Sequence, residues 1–417
     1  MPELVAPRPG LDAALAGRID WKDDAAAALI LANPEWVARS GEAAGLARRL
    51  LPELAGHVFV ATSGTSRGEG AQPRWVALSR RAVRASAAAV NLHLRAEAGD
   101  VWAHALPLFH VGGLGILARA QLSGARVEDA AGGSWDPERF LRRAAECRAT
   151  LGALVPTQVH DLVTAGLKAP RTLRAIVIGG GRMDPALYRE ARALGWPCLP
   201  SYGLTETASQ VATAPLESLA ETHCPTALPM LAHAEARVDR DGVVWVRGAS
   251  LLTCYVEIEN GRARAWDPRA ADGWFRTGDL GVMHAGGLEV RGRGADTVKV
   301  LGELVWLPRV EAEAARWLAQ EPMLRGMRVD LAVAAVPHPR LGHELVLAVS
   351  PAAGGSELPS TDLLLASLRR FQAAALPVER VRRLEVVETI PRTALGKCRR
   401  ELLASRLSRP AATRDVP

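Results

Sequence analysis

Gly278-Asp279 follows the apolar aromatic pair Trp274-Phe275. A carboxylate in such a turn-like Gly-Asp is acceptor-only and can take two hydrogen bonds, which matches a vicinal diol such as that of a ribose. Farther on, Arg293 stands in Gly-Arg-Gly, where the flanking glycines leave the backbone free to pivot. A second stretch suits anions. His57 to Ala61 reads as a short apolar strand that empties into Thr62-Ser63-Gly64-Thr65-Ser66-Arg67-Gly68. The N–H and O–H donors of such a loop can wrap phosphate oxygens. No Gly-Lys-Ser or Gly-Lys-Thr closes it, so it is not a Walker A loop. Three further groups could do chemistry: His110 in Leu106-Pro107-Leu108-Phe109-His110, Thr205-Glu206-Thr207, and Lys397 in the basic loop from Pro391. Each has a plainer rival when taken alone, as a backbone-satisfied buried histidine, a helix start and a solvated charge.

The elements that would position these residues alternate. Ser79 suits the N-cap of a helix to about Leu94, Val101 to Leu106 reads as a buried strand, and Asp136-Pro137 suits the cap of the next helix. Leu151 to Val155 and Leu173 to Ile178 are two more strands, ending at Pro156-Thr157-Gln158 and Gly179-Gly180-Gly181. After a helix near Pro185 to Leu194, Cys198 to Tyr202 enters Ser201-Tyr202-Gly203-Leu204-Thr205-Glu206. Strands alternating with helices argue for a mostly parallel sheet, whose ligands gather at the C-terminal strand ends, and those loops fall there. From about Val238 short strands and turns indicate a small β subdomain. His284 to Gly287 reads as a hairpin loop, with Leu288 to Arg291 as its return strand. Val298 and Val300 flank Lys299 with strand alternation. A helix can begin at Pro308 with Val310, Ala314, Trp317 and Leu318 on one face. Asp330 to Val336 and Glu344 to Val349 read as strands of a separate small α+β unit. Met1 to Gly56 is Ala/Leu-rich with helix-like stretches and shows no chemistry.

Bulk properties exclude several classes. The 417 residues are 48% hydrophobic and 23% charged, and 51 basic against 45 acidic side chains leave a net charge of only +6. No long Lys/Arg block accompanies that surplus, which argues against a nucleic-acid partner. The five cysteines are scattered without a CxxC pair, which argues against disulfides and zinc and for a reducing cytoplasm. The apolar run Ala25 to Ala32 is too short to span a bilayer, so a soluble protein is expected.

Four segments in order carry a resemblance. Ser201 to Gln210, Gly273 to Gly281, Gly292 to Glu303 and Pro391 to Arg400 together resemble the adenylate-forming superfamily of acyl-CoA synthetases, adenylation domains and luciferases, from about residue 57 to 406. The resemblance implies an α/β fold: a large N-terminal domain, residues 1–293, with mostly parallel sheets and a small β subdomain, and a small mobile α+β C-terminal domain, residues 294–417. It implies that Thr62, Ser63, Gly64 and Thr65 hold phosphates, and that Gly179, Gly180, Gly181 and Tyr202 line the adenine. Thr205 would touch the α-phosphate, Glu206 would hold Mg²⁺, Asp279 would take the ribose with Arg293 nearby, and Lys397 would enter the site for adenylation. ATP, Mg²⁺ and coenzyme A follow as implied cofactor and co-substrates.

Leu106 to Gly115 and Leu154 to Gln158 most resemble the o-succinylbenzoate–CoA ligases of menaquinone biosynthesis. That likeness implies an aromatic acid beside His110, with Gly113, Thr157, Gly179 and Ser201 as further substrate contacts. It leaves the donor for a second carboxylate unnamed. The alternatives are another aryl-CoA ligase of secondary metabolism, a freestanding adenylation enzyme that loads a carrier protein, and a non-catalytic nucleotide-binding protein. A homo-oligomer is compatible with any of them, and no membrane partner is expected. Three departures from the family pattern stand out. The phosphate loop lacks a Thr-Gly-x-Pro-Lys ending, and Pro73-Arg74 follows it with Arg74 a candidate stand-in for the lysine. The usual acidic hinge position aligns with Ala295, beside Asp296. The region before the phosphate loop is short.

Overall fold

The computed structural model describes residues 3–5, 19–33, 54–61, 74–259, 262–293, 296–301, 303–321, 329–338, 340–351, 358–393, 396–408 and 414–415. The described residues form two compact units, one of residues up to 277 with 281–291, the other of 278–280 and residues from 292 onward.

The first unit holds three sheets. One is six-stranded, in the spatial order Ser209–Thr213, Cys198–Leu204, Ala175–Ile178, Leu151–Leu154, Val101–His104, Arg126–Asp129. Its pairings are parallel except for the antiparallel Ser209–Thr213 edge. Val101–His104, Leu151–Leu154 and Ala175–Ile178 are buried at every position, as strands covered on both faces must be. Their periodicity is therefore a short apolar run rather than an alternation.

The residue before each of these three strands joins one network at the amino edge. Arg174 donates to both oxygens of buried Asp100, at 3.1 and 2.6 Å. Thr150 Oγ1 donates to Asp100 Oδ1 at 2.7 Å and accepts the Val101 N–H at 3.0 Å. Helices pack on the sheet with caps that the sequence encodes. Ser79 Oγ accepts the Ala82 N–H over the helix Arg80–Leu94, and Asp136 accepts the Arg139 N–H over Pro137–Glu146.

His57–Ala61 does not join that parallel sheet. It lies in a second, mixed sheet ordered Glu3–Val5, Leu29–Leu31, His57–Ala61, Trp75–Ser79, Cys254–Glu259, Arg262–Trp266, parallel in the first two pairings and antiparallel in the rest. Of the N-terminal region, the described residues contribute the strands Glu3–Val5 and Leu29–Leu31, and most of the stretch expected to be helix-like lies outside the described residues. Leu29–Leu31 is a Leu-Ile-Leu run too short for a helix and is wholly buried. The third sheet is five-stranded, and includes the antiparallel pair Ala234–Val238 and Val243–Gly248 with the strands Phe275–His284 and Gly287–Arg293. This is the small β subdomain, with its turn at 285–286 as expected.

In the second unit, Val329–His338 and Gly342–Pro351 form a ten-residue antiparallel hairpin, and Val381–Val386 adds in parallel. One face carries Val333, Leu345, Leu347 and Val349 against Val310, Ala314 and Leu318 of helix Leu307–Gln320 and Leu364, Leu368 and Phe371 of helix Thr361–Ala374. The other carries Ala332, Ala334, Val346 and Ala348 against Leu403 and Leu407 of helix Arg400–Leu407. A two-stranded ribbon, Thr297–Val300 with Glu303–Trp306, leads into this unit.

Asp100 yields a test of the parallel sheet. Burial alone would raise its carboxyl, but the Arg174 and Thr150 hydrogen bonds prevail and hold it below the usual range. A carboxyl depressed in the folded state stabilises fully above its unfolded value of about 3.9, and that stability is lost as pH falls through the folded value. Arg174→Ala leaves a buried carboxylate uncompensated, and is expected to cost about 3 kcal/mol at pH 7. It should also remove that acid limb, as read by urea denaturation at pH 7 and below pH 4.

Candidate active site

Four loops leave the carboxyl edge of the parallel sheet, and each carries residues marked by the sequence. The loop after Val101–His104 ends at His110, the N-cap residue of helix Val111–Ser123. His110 donates its N–H to Pro107 O at 3.1 Å and accepts the Leu114 N–H at 3.0 Å, and its ring lies 4.8 Å from Phe109. Gly113 is required there, because a Cβ would sit 2.4 Å from Pro107 O. The loop after Leu151–Leu154 starts helix Pro156–Thr164 with Thr157 exposed in its first turn. Buried Gln158 fastens this loop to its neighbour: Oε1 accepts the Val155 N–H at 3.0 Å and Nε2 donates to Ala105 O at 3.2 Å.

The third loop is Gly179-Gly180-Gly181. Gly179 donates to Leu154 O at 3.1 Å, and Gly180 has φ +75°, where a side chain is strained. Ser201 reaches back to it, with Oγ donating to Ile178 O at 2.9 Å. That hydroxyl therefore has only acceptor capacity left for a ligand.

The fourth loop follows Cys198–Leu204. Tyr202 is buried near its end, and a single 3-10 turn, Thr205–Thr207, comes next. Thr207 is the inward residue: its Oγ1 accepts the Leu204 N–H at 2.9 Å and donates to Ser209 O at 2.6 Å. Thr205 and Glu206 are left half-buried on the outer side. The Glu206 carbonyl accepts the Leu252 N–H at 2.8 Å, and its Oε1 accepts the Tyr255 hydroxyl at 2.8 Å. Oε2 takes no hydrogen bond among the described residues. No cluster of three or more His, Cys, Asp or Glu that could hold a metal occurs among the described residues. A lone carboxylate with a free oxygen fits Mg²⁺, which is usually held by one or two carboxylates plus substrate phosphates and water rather than by a protein cage.

Sequence reasoning missed Arg119, the one charge in the apolar helix Val111–Ser123. It is 1% exposed, and its Nη2 donates to Ser209 Oγ at 2.7 Å and Gln210 Oε1 at 2.8 Å. Its Cζ lies 5.6 Å from the Trp102 ring centroid, and its buried Nε has no partner among the described residues. Burial pushes the guanidinium down to about 10, so it stays a cation at neutral pH. No carboxylate pairs with it among the described residues. A Cβ at Gly115 would lie 3.1 Å from Nη2, so the glycine leaves that side uncovered. The signal available in the sequence was a single guanidinium on an otherwise apolar helix.

Tyr255, also missed, offered no signal in the strand Cys254–Glu259. Arg74 stacks on it, 4.9 Å from its ring and 5.3 Å from that of Trp266, and donates to Glu257 at 2.8 Å. Arg74 is thus engaged with a strand pair, while the phosphate loop for which it was a candidate lysine stand-in lies outside the described residues.

The structure therefore gathers His110, Gly113, Thr157, Gly179 to Gly181, Ser201, Tyr202, Thr205 and Glu206 at one edge of one sheet. Asp279 is buried and lies inside the strand Phe275–His284, not in a turn; Gly278 before it, at φ +78°, supplies the bend that made the pair look like one. Arg293 ends the strand Gly287–Arg293, and its side chain is outside the described residues, as are Thr62, Ser63, Gly64, Thr65 and Ala295.

Lys397 belongs to the second unit and is exposed. Its loop closes on itself, with Thr393 N–H donating to Lys397 O at 2.8 Å and Lys397 N–H to Thr393 Oγ1 at 3.2 Å. Arginine clamps flank it. Arg392 binds Asp330 at 2.6 and 3.0 Å, and Arg400 binds Asp296 at 2.9 Å, Glu311 at 2.6 Å and Val333 O at 2.7 Å.

Several known proteins resemble this chain. Residues 58–256 match the family model described as AMP-binding enzyme. The 2-succinylbenzoate--CoA ligase of Bacillus licheniformis is 30% identical over 54% of this chain and 48% of its own length. That of Listeria innocua is 27% identical over 78% and 65% respectively. The chain thus spans about half to two thirds of the length of these curated relatives. Among solved structures, the o-succinylbenzoate coenzyme A synthetase (MenE) of Bacillus subtilis in complex with ATP and magnesium ion superposes with TM-score 0.66 at 25% identity, over 83% of this chain and 69% of that one. The match to the AMP-binding enzyme model takes in just under half of the chain, and over that part and in its α/β architecture the chain is similar to the adenylate-forming enzymes.

Proposed function

We propose that the chain is an ATP-dependent acid–CoA ligase whose acid carries a second carboxylate, most simply o-succinylbenzoate. Arg119 carries this reading. A fully buried guanidinium that meets only neutral side chains among the described residues is an uncompensated charge, and such charges are costly unless an anion joins them. It lies on the helix that His110 caps and bonds to the strand that follows Glu206. An aromatic acid lying along the helix from His110 would bring its remote carboxylate to Arg119 and its reacting carboxylate towards Thr205. The names of the curated relatives point to the same acid.

A carboxylate is a poor acyl donor because oxide is a poor leaving group. In the proposed reaction its oxygen attacks the α-phosphorus of ATP, the bond to the β-phosphate oxygen breaks and pyrophosphate leaves, giving an acyl-AMP. A thiol of coenzyme A then attacks the acyl carbon and AMP leaves with the C–O bonding pair. Tyr202 would stack on the adenine, Asp279 would accept from the ribose hydroxyls, and Thr205 would donate to the α-phosphate. Mg²⁺ held by Glu206 would offset phosphate charge. Lys397, a compact charge on a flexible stem, would stabilise the charge that develops as pyrophosphate departs. Residues 294–417 would have to turn between the half-reactions to withdraw it, a hinge motion of about microseconds to milliseconds. No helix among the described residues is long and apolar enough to cross a membrane, and none of the five cysteines is in a disulfide, in keeping with a cytoplasmic enzyme.

Acid-dependent ATP–pyrophosphate exchange tests the reaction, and its absence over a broad panel of acids would overturn it. Arg119→Met is expected to raise the KM for o-succinylbenzoate by about 10- to 100-fold, the value of a charged hydrogen bond. The same change should leave benzoate, tested as a poor substrate, nearly unaffected. Lys397→Ala is expected to abolish exchange while sparing thioester formation from supplied acyl-AMP, followed by chromatography of the CoA product. Equal loss in both half-reactions would contradict its role.

A further inference from the structure

We propose that Tyr255 is a positioning residue that confines Glu206 to one-oxygen ligation of the divalent cation, and thereby selects Mg²⁺ over larger ions. The inference rests on the adenylate-forming reading for the cation itself, but its geometry comes from this chain alone.

The Tyr255 hydroxyl donates to Glu206 Oε1 at 2.8 Å, which takes up one lone pair of that oxygen, while Oε2 is left unengaged among the described residues. Neither partner can readily swing. Glu206 is fixed through its carbonyl to Leu252 N–H, and its turn is pinned by buried Thr207. Tyr255 is 8% exposed, and its strand pairs on both sides, with Val76 and with Trp266. Its ring is covered by the Arg74 guanidinium at 4.9 Å and packs 5.4 Å from Trp266, and Arg74 is in turn held by Glu257.

The consequence is a matter of coordination chemistry. Ca²⁺ accepts six to eight oxygens and commonly takes a carboxylate through both, whereas Mg²⁺ demands a compact octahedron and takes one. A carboxylate with one oxygen tied by a rigid phenol offers the second kind of site. Hydrogen bonds from outside the ligand shell that orient a ligating group are typically worth about 10- to 100-fold in metal affinity.

Calorimetric titration of the full chain with ATP, in Mg²⁺, in Ca²⁺ or in EDTA, tests this directly. Tyr255→Phe keeps the ring that Arg74 covers. It is expected to weaken ATP binding in Mg²⁺ about 10-fold, to leave binding in EDTA unchanged, and to shrink the preference for Mg²⁺ over Ca²⁺. In a Glu206→Gln background the same change should have no further effect on the Mg²⁺ dependence. Unaltered binding in Mg²⁺, or an equal loss in EDTA, overturns the assignment while leaving the ligase reading intact. If the unsubstituted chain binds ATP no better in Mg²⁺ than in EDTA, both fall together.

Discussion

One buried carboxylate, Asp100, fixes the level at which three parallel strands begin. It gathers Arg174 and Thr150, the residues that precede the neighbouring strands, so that Trp102, Leu151 and Ala175 stand abreast. Short strands aligned at one edge end close together at the other. The loops carrying His110, Gln158, the three glycines and Thr205-Glu206 are therefore brought side by side by an interaction at the far end of the strands. The strand order adds to this. Val101–His104 lies between Leu151–Leu154 and Arg126–Asp129, which makes its carboxyl end the point where the winding reverses, where open α/β sheets bind ligands.

The second unit solves a different problem. Its sheet is covered on both faces, and the loop bearing Lys397 lies between Arg392 and Arg400, each bound to carboxylates from other parts of the same unit. A lysine held on so braced a loop keeps a fixed place within its own unit.

The alternation of strand and helix, the caps at Ser79 and Asp136 and the hairpin of the β subdomain were legible in the sequence because each is a local signal. The segment from Ser201 could be placed at a strand end for the same reason. What was not legible depended on distant partners. The His57–Ala61 strand has the composition of a parallel-sheet strand, and nothing nearby says that Trp75–Ser79 will pair with it in reverse. Arg119 looks like any surface arginine until burial of the helix from Gly113 to Ala120 makes it a charge without a counterion among the described residues. Tyr255 has no local mark at all, since its significance lies in a carboxylate far away in the chain. Asp279 was read as a turn residue from the Gly-Asp pair, but the positive φ of Gly278 is absorbed within a continuing strand.

The mixed sheet of the first unit carries a consequence for biosynthesis. Trp75–Ser79 pairs on one side with His57–Ala61, yet its other side waits for Cys254–Glu259. Until the ribosome has released that later segment, an apolar strand edge in the nascent chain stays open, and such edges invite pairing with neighbouring molecules. Fragments that stop short of residue 254 would keep the edge permanently bare and should precipitate, even though the parallel sheet they contain is complete.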